Sequence, residues 1–289
     1  MTALARSAPG KFLEWLAVAL GLAALYVPTF TDLARTLWQK DEYAHGPIVL
    51  AVILWILWST RNNWLETDTP PRPLAGWASL VVGLLLYILG RSQGVVILEV
   101  GSLAPVLAGA LLLLRGRGAI GAVWFALLFV AFLVPLPGVL VDTVTGPLKQ
   151  SVSSIAESIL YHAGYPTARS GVTLVIGQYQ LLVADACSGL HSMFSLSALG
   201  LLYLYLMQHK DWRRNGILLA AILPTAFVAN IVRVIVLVLV TYHLGDEAGQ
   251  GFIHGSAGML LFIIALLALF AIDAAYGFAV RLRGDKHAH

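Results

Sequence analysis

The feature that most constrains this chain is its series of apolar runs long enough to cross a bilayer. Hydrocarbon about 30 Å thick offers no water to the backbone, so a crossing segment must satisfy its own hydrogen bonds, and roughly 20 helical residues span that distance. Such runs lie near 12–30, 46–59, 74–90, 99–114, 119–135, 186–207, 216–243 and 255–281. The second is short and is expected to tilt, thin at its ends or re-enter. The expectation is an all-α integral membrane protein of about eight transmembrane helices, with residues 1–289 forming a single polytopic domain whose first partner is the lipid bilayer. Composition agrees: 59% of the 289 residues are hydrophobic and 11% charged, where a soluble domain carries about 25% charged residues.

Several function classes fall away. A single cysteine excludes an internal disulfide framework and a CxxC site. The basic residues sit in short loops between spans, so the sequence pI of 9.0 is no nucleic-acid signal. No HExxH motif occurs, which disfavours a metalloprotease. No metal or organic cofactor is implied. At the N-terminus the apolar run from Phe12 continues to Phe30, too long for a typical signal core, so an uncleaved first span is expected.

Orientation follows from the loop charges. With the N-terminus inside, the outer segments hold Arg35, Lys40, Arg91, Lys149 and Arg169, while Arg233 lies within a span and the other twelve of the eighteen Lys and Arg residues lie inside. The positive-inside rule favours this arrangement. The start of span six, the end of span seven and the start of span eight then share the outer side.

Those three ends carry the most unusual polar residues. Cys187 lies in Ala184-Asp185-Ala186-Cys187-Ser188-Gly189-Leu190-His191, in the expected first turn of span six. A helix dipole favours a thiolate there, although a lone cysteine is often an inert small hydrophobe. Arg233 sits among apolar residues in Asn230-Ile231-Val232-Arg233-Val234. Burying an arginine in a span costs roughly 2.5–3.5 kcal/mol on insertion scales, which argues for a partner or a role. Asn230, three residues earlier, shares its helix face. A structural arginine bound to a carbonyl or a lipid phosphate is the plainer alternative. His254 opens span eight before Gly255, as a site residue or simply as an interfacial cap. Together a thiol, an imidazole and a guanidinium are the equipment for acyl transfer. The imidazole takes the thiol proton, the thiolate attacks an amide carbonyl, and the guanidinium holds the oxyanion.

These residues resemble the exosortase family of bacterial membrane transpeptidases. The resemblance rests on Ala186-Cys187-Ser188-Gly189-Leu190, Asn230-Ile231-Val232-Arg233 and His254-Gly255, in that order on successive spans, with Tyr43-Ala44-His45-Gly46 and Pro147-Leu148-Lys149-Gln150 as further matches. The stretch Asp41–Pro47 is most similar to the exosortase B type. The resemblance implies a cysteine transpeptidase or peptidase of the bacterial inner membrane with its active site on the periplasmic side. It implies substrates that are secreted proteins bearing a C-terminal sorting tail: a Pro-Glu-Pro motif, a hydrophobic span and basic residues. It further implies an unidentified acceptor nucleophile, a link to exopolysaccharide and biofilm systems, and Cys187 as nucleophile, Arg233 for the oxyanion and His254 as general acid and base. His191 departs from the arginine found in many relatives and is a second candidate base. His45 is a secondary candidate that otherwise caps span two.

Between spans five and six, residues 141, 144, 148, 152, 155 and 159 are Val, Val, Leu, Val, Ile and Ile. That spacing predicts an external amphipathic helix, kinked or divided at Pro147. Ser170–Val183 predicts a short β-hairpin around Gly177-Gln178. It serves as a lid over the helix ends or offers an edge that pairs with an extended substrate.

Two other readings compete. One is a rhomboid-like serine protease using Ser188 or Ser256, for which the residue order fits poorly. The other is a polytopic transporter or binding protein that holds an anion at Arg233, for which no internal repeat speaks.

Overall fold

The computed structural model describes residues 8–40, 43–67, 69–135, 138–182, 190–255 and 257–285. It is a multi-pass helical protein with one small sheet. Five stretches are long and apolar enough to cross a membrane: Leu13–Gln39, Pro73–Gln93, Val96–Leu114, Trp212–Leu244 and Leu261–Leu282. Three shorter apolar helices, Gly46–Ser59, Arg117–Phe132 and Phe194–Met207, coincide with the other expected spans. The chain divides into two compact units, Met1–Leu136 and Pro137–His289.

The first unit holds α1 (Ala8–Arg35), α2 (Gly46–Ser59), α3 (Arg61–Leu65), α4 (Pro73–Gln93), α5 (Val96–Gly101), α6 (Leu103–Leu114) and α7 (Arg117–Phe129). Its tightest seam is dictated by glycine spacing. Gly76, Gly83 and Gly90 recur every seven residues on α4 and are all buried. A Cβ at Gly83 would lie 2.8 Å from the backbone N of Val106, and one at Gly76 would lie 2.7 Å from Leu113 Cγ. From the opposite wall, a Cβ at Gly109 would lie 2.7 Å from the backbone N of Leu80, and Gly90 is in close contact with the backbone of Glu99. The residues in each pair stand equally far from the turn at Gly94-Val95, which defines an antiparallel hairpin. Gly94 makes that turn possible with φ of +68° as the left-handed cap of α4. The other face of α4 exposes Leu74, Trp77, Val81, Leu85 and Ile88. In lipid this inverted arrangement is favourable, because apolar side chains gain nothing by packing inward and small residues let backbones approach.

Near the turn of the hairpin a polar network runs from buried Glu99 and Thr29 to exposed Arg91 and Asp32. Glu99 is 6% exposed; it accepts hydrogen bonds from Thr29 Oγ1 at 2.6 Å and Arg91 at 3.0 Å. Arg91 also bridges to Asp32 at 2.7 Å. A carboxylate in an apolar setting is tolerable when so paired.

The second unit holds α8 (Gly138–His162), the strands β1 (Thr167–Ser170), β2 (Thr173–Ile176) and β3 (Tyr179–Leu182), then α9 (Leu190–Met207), α10 (Trp212–Leu244), α11 (Asp246–Gly255) and α12 (Ala257–Asp285). Helices α9, α10 and α12 pack around Leu196, Ala226, Ala229, Leu261 and Ala265. The expected hairpin is a three-stranded antiparallel meander in the order β1-β2-β3. Both of its turns have two residues with glycine first, Gly171 at φ +62° and Gly177 at φ +55°, the pattern of a type II′ turn. One face of the sheet, Leu174, Ile176, Tyr179 and Leu181, packs on Val152, Ala156 and Leu160 of α8 and on Ile231, Val234 and Val238 of α10.

Two expectations are refined. Helix α8 runs unbroken through Pro147. Its buried row is Val152, Ala156 and Leu160, so Ile155 and Ile159 of the expected stripe remain exposed. Ala156 is small enough to seat the sheet, which selects its row over the isoleucines.

Candidate functional site

The site builds from α10 outward. This helix begins at an N-cap, Asp211, whose carboxylate accepts the backbone N–H of Arg213 at 3.0 Å. It runs 33 residues with Pro224 inside it. Asn230 and Arg233 are both buried, at 4% and 6% exposure. Asn230 Oδ1 has no hydrogen-bond partner among the described residues. A buried carbonyl left so costs about 1–3 kcal/mol and marks a place where a donor is wanted.

At its far end α10 stops at Gly245, whose φ of +90° lets the chain reverse. The segment that follows is a helix of ten residues, α11, opened by Asp246 and Glu247 where the dipole favours acids. It folds back on α10: Gly249 lies against Thr241, each four residues from Gly245. His254 belongs to the helical backbone of α11, and helix is described again from Ala257.

The remaining expected residues lie as follows. Cys187, Ser188 and Ser256 lie outside the described residues, as do the side chains of His191 and His254. The backbone of His191 belongs to the first turn of α9. His45 is the N-cap of α2, with no hydrogen bond from its side chain to the helix end. Its carbonyl accepts the N–H of Val49 at 3.0 Å.

Two polar groups escaped the sequence reading. At the end of α10, Tyr165 hydrogen-bonds His243 at 3.2 Å and packs edge-on against Tyr242 at 5.5 Å. At the opposite end of the bundle, Asp273 of α12 binds Tyr203 at 2.8 Å, His209 at 3.1 Å and Arg214 at 2.6 Å. Tyr276 of the same helix donates to Asp211 at 2.7 Å. This hydrogen bond, with that from the N–H of Arg213, holds the Asp211 carboxyl below the usual carboxylate range. A cavity of about 680 Å³ is lined by Asp211, Arg214, Asp273, Tyr276 and Arg281. Asp273 stands alone in an apolar run, a signal as strong as that of Arg233.

Residues 37–271 match the family model of the transmembrane exosortases. The chain belongs to the transmembrane exosortase family. Membership implies a membrane protease or transpeptidase that acts on secreted proteins. No curated protein and no solved structure matches this exosortase.

Proposed function

We propose that this exosortase removes the C-terminal sorting tail of secreted proteins through a thioester on Cys187, at the periplasmic side of a bacterial inner membrane. The thiol of Cys187 gives its proton to His254. The thiolate then attacks the scissile carbonyl, and the negative charge that develops on the carbonyl oxygen is met by Arg233. As the carbon–nitrogen bond breaks, His254 returns the proton to the departing amine. An acceptor amine or water attacks the thioester and frees the cysteine. The first outcome joins the protein to its acceptor and the second is proteolysis. The stretch Asp41–Pro47 favours the B type.

The observation that carries this reading is the burial of Arg233 beside Asn230 within the helical bundle, and it is supported by a helix that turns back on α10 after Gly245. A guanidinium preorganised in a site of low dielectric stabilises an oxyanion far better than one in water. The experiment follows tail removal from a secreted reporter ending in a Pro-Glu-Pro motif, an apolar span and basic residues. Cys187→Ala, Arg233→Ala and His254→Ala are expected to abolish it, while Ser188→Ala is expected to spare it. His191→Ala tests the competing base. Normal processing by stably expressed Cys187→Ala protein sinks the cysteine mechanism. A mild Cys187→Ala with a severe Arg233→Ala supports anion binding or transport instead.

A further inference from the structure

The small sheet has two edges, and they are not equivalent. Hydrogen bonding follows from the register. Ile176 faces Tyr179 across a two-residue turn, so this pair exchanges both backbone bonds, and bonded pairs alternate with unbonded ones along an antiparallel ladder. Leu174 and Leu181 are therefore bonded, whereas Val175 with Gln180 and Thr173 with Leu182 are not. The bond from Gly177 N–H to the carbonyl of Pro166 at 3.3 Å fits the same alternation on the β1 side. It follows that Gln180 and Leu182 turn their backbone N–H and C=O groups away from β2, toward the open side of β3.

The edge of β1 is guarded. The N–H of Thr167 is spent on the carbonyl of Tyr165 at 2.8 Å. Arg169 lies on this strand, paired with Glu157 at 3.3 Å and bonded to the carbonyl of Gly171. Charge at an edge is the common way to discourage another strand from pairing. Among the described residues the edge of β3 has no such guard and no fourth strand pairs with it; Gln180 and Leu182 are exposed and uncharged. Cys187 is the fifth residue after Leu182 in the sequence.

We infer that the edge of β3 is the docking strand for the substrate polypeptide. The residues of the secreted protein beside its cleavage point add to the sheet as a fourth strand, held by the N–H and C=O groups of Gln180 and Leu182. This deepens the tail-cleavage reading and rests on it. The occupant is an extended peptide backbone because the free groups are one strand's donors and acceptors in alternation, and because the family acts on secreted proteins. Recognition through the main chain tolerates many sequences, which suits an enzyme that must accept different proteins joined to one kind of tail.

Disulfide trapping in membranes tests it, with the full-length chain carrying Cys187→Ala and Gln180→Cys. Its partner is the tailed reporter, bearing single cysteines moved one residue at a time through the segment beside the cleavage point. Strand addition predicts crosslinks at alternate reporter positions and none at those between, since side chains on a strand alternate with period two. Uniform crosslinking, or none with both proteins stably expressed, overturns the docking strand. In the native-cysteine chain, Leu182→Pro removes one outward N–H while leaving the β2–β3 ladder, and is expected to lower tail removal. Full activity in that variant also overturns the inference. The two ideas fail separately. Alternating crosslinks with normal processing by Cys187→Ala would remove the nucleophile and keep the strand. Inactive Cys187→Ala without alternation would do the reverse.

Discussion

Gly249 of α11 lies against Thr241 of α10, and only a hydrogen at Gly249 lets them meet. This contact fixes the direction in which α11 leaves Gly245, and with it the return of His254 along α10. Gly249→Val is expected to push α11 off α10 and abolish tail removal while α9, α10 and α12 still pack. The pair Gly249→Ala with Thr241→Ala vacates the space and is expected to recover much of the activity. Processing assays on equal amounts of folded protein check both outcomes.

Arg233→Ala is expected to slow tail removal by about 10²–10³-fold, the usual cost of losing one oxyanion donor. Arg233→Lys keeps the charge but not the planar fork and is expected to recover only part of it. Rates in membranes with matched protein levels decide. An Arg233→Ala rate equal to wild type removes the oxyanion role.

Asp273 holds three partners at the other end of the bundle, so it is expected to matter for stability and not for chemistry. Asp273→Ala leaves the Arg214 guanidinium without its carboxylate. Breaking a buried pair in this way costs about 3–5 kcal/mol, and less where one member keeps contact with water, as Arg214 does at 26% side-chain exposure. The expected result is a lower melting temperature in detergent with unchanged activity per folded molecule. A large loss of activity in stably folded protein would instead give Asp273 a part in function.

Asp211 supplies a pH signature. Its carboxyl is held below the usual carboxylate range by Tyr276 and by the N–H of Arg213. A group whose pKa is depressed on folding adds stability above its unfolded value and loses it as the pH falls through the folded one. Tyr276→Phe is therefore expected to reduce stability at neutral pH and to flatten the decline on acidification below about 4. Thermal melts across that range measure it.

Gly83→Leu is expected to force α4 from α6, at a cost of about 1–3 kcal/mol or more. Gly21→Leu, where a Cβ meets nothing within 4 Å, is the matched control and is expected to be silent. Melting temperatures of the two variants check the contrast.

Much of this architecture is legible in the chain because lipid imposes one rule on every span. Apolar length alone locates the spans, and the isolation of Arg233 among apolar residues marks a cation that the fold buries. Other features depend on contacts that sequence spacing does not carry. The strand Thr167–Ser170 reads as polar loop because only its register with β2 makes it a strand. The helix Asp246–Gly255 reads as loop and span entry because its packing partner, Thr241, lies on another element. Its signals were nonetheless present, in Gly245 as a stop and in Asp246 and Glu247 as a start. Asp273 is as visible as Arg233, a lone charge in an apolar run.

The glycine spacing on α4 gives its seam two unlike walls. On the α4 side, Gly76, Gly83 and Gly90 work only by what they lack, and any added atom meets the facing helix. On the other side, Val106 and Leu113 meet bare backbone, which reads size and not chemical identity. A saturation scan of the hairpin is therefore expected to return a lopsided map. Three positions seven apart on one strand of the hairpin would accept almost nothing. Val106 and Leu113, which face Gly83 and Gly76, would accept most apolar residues of similar bulk.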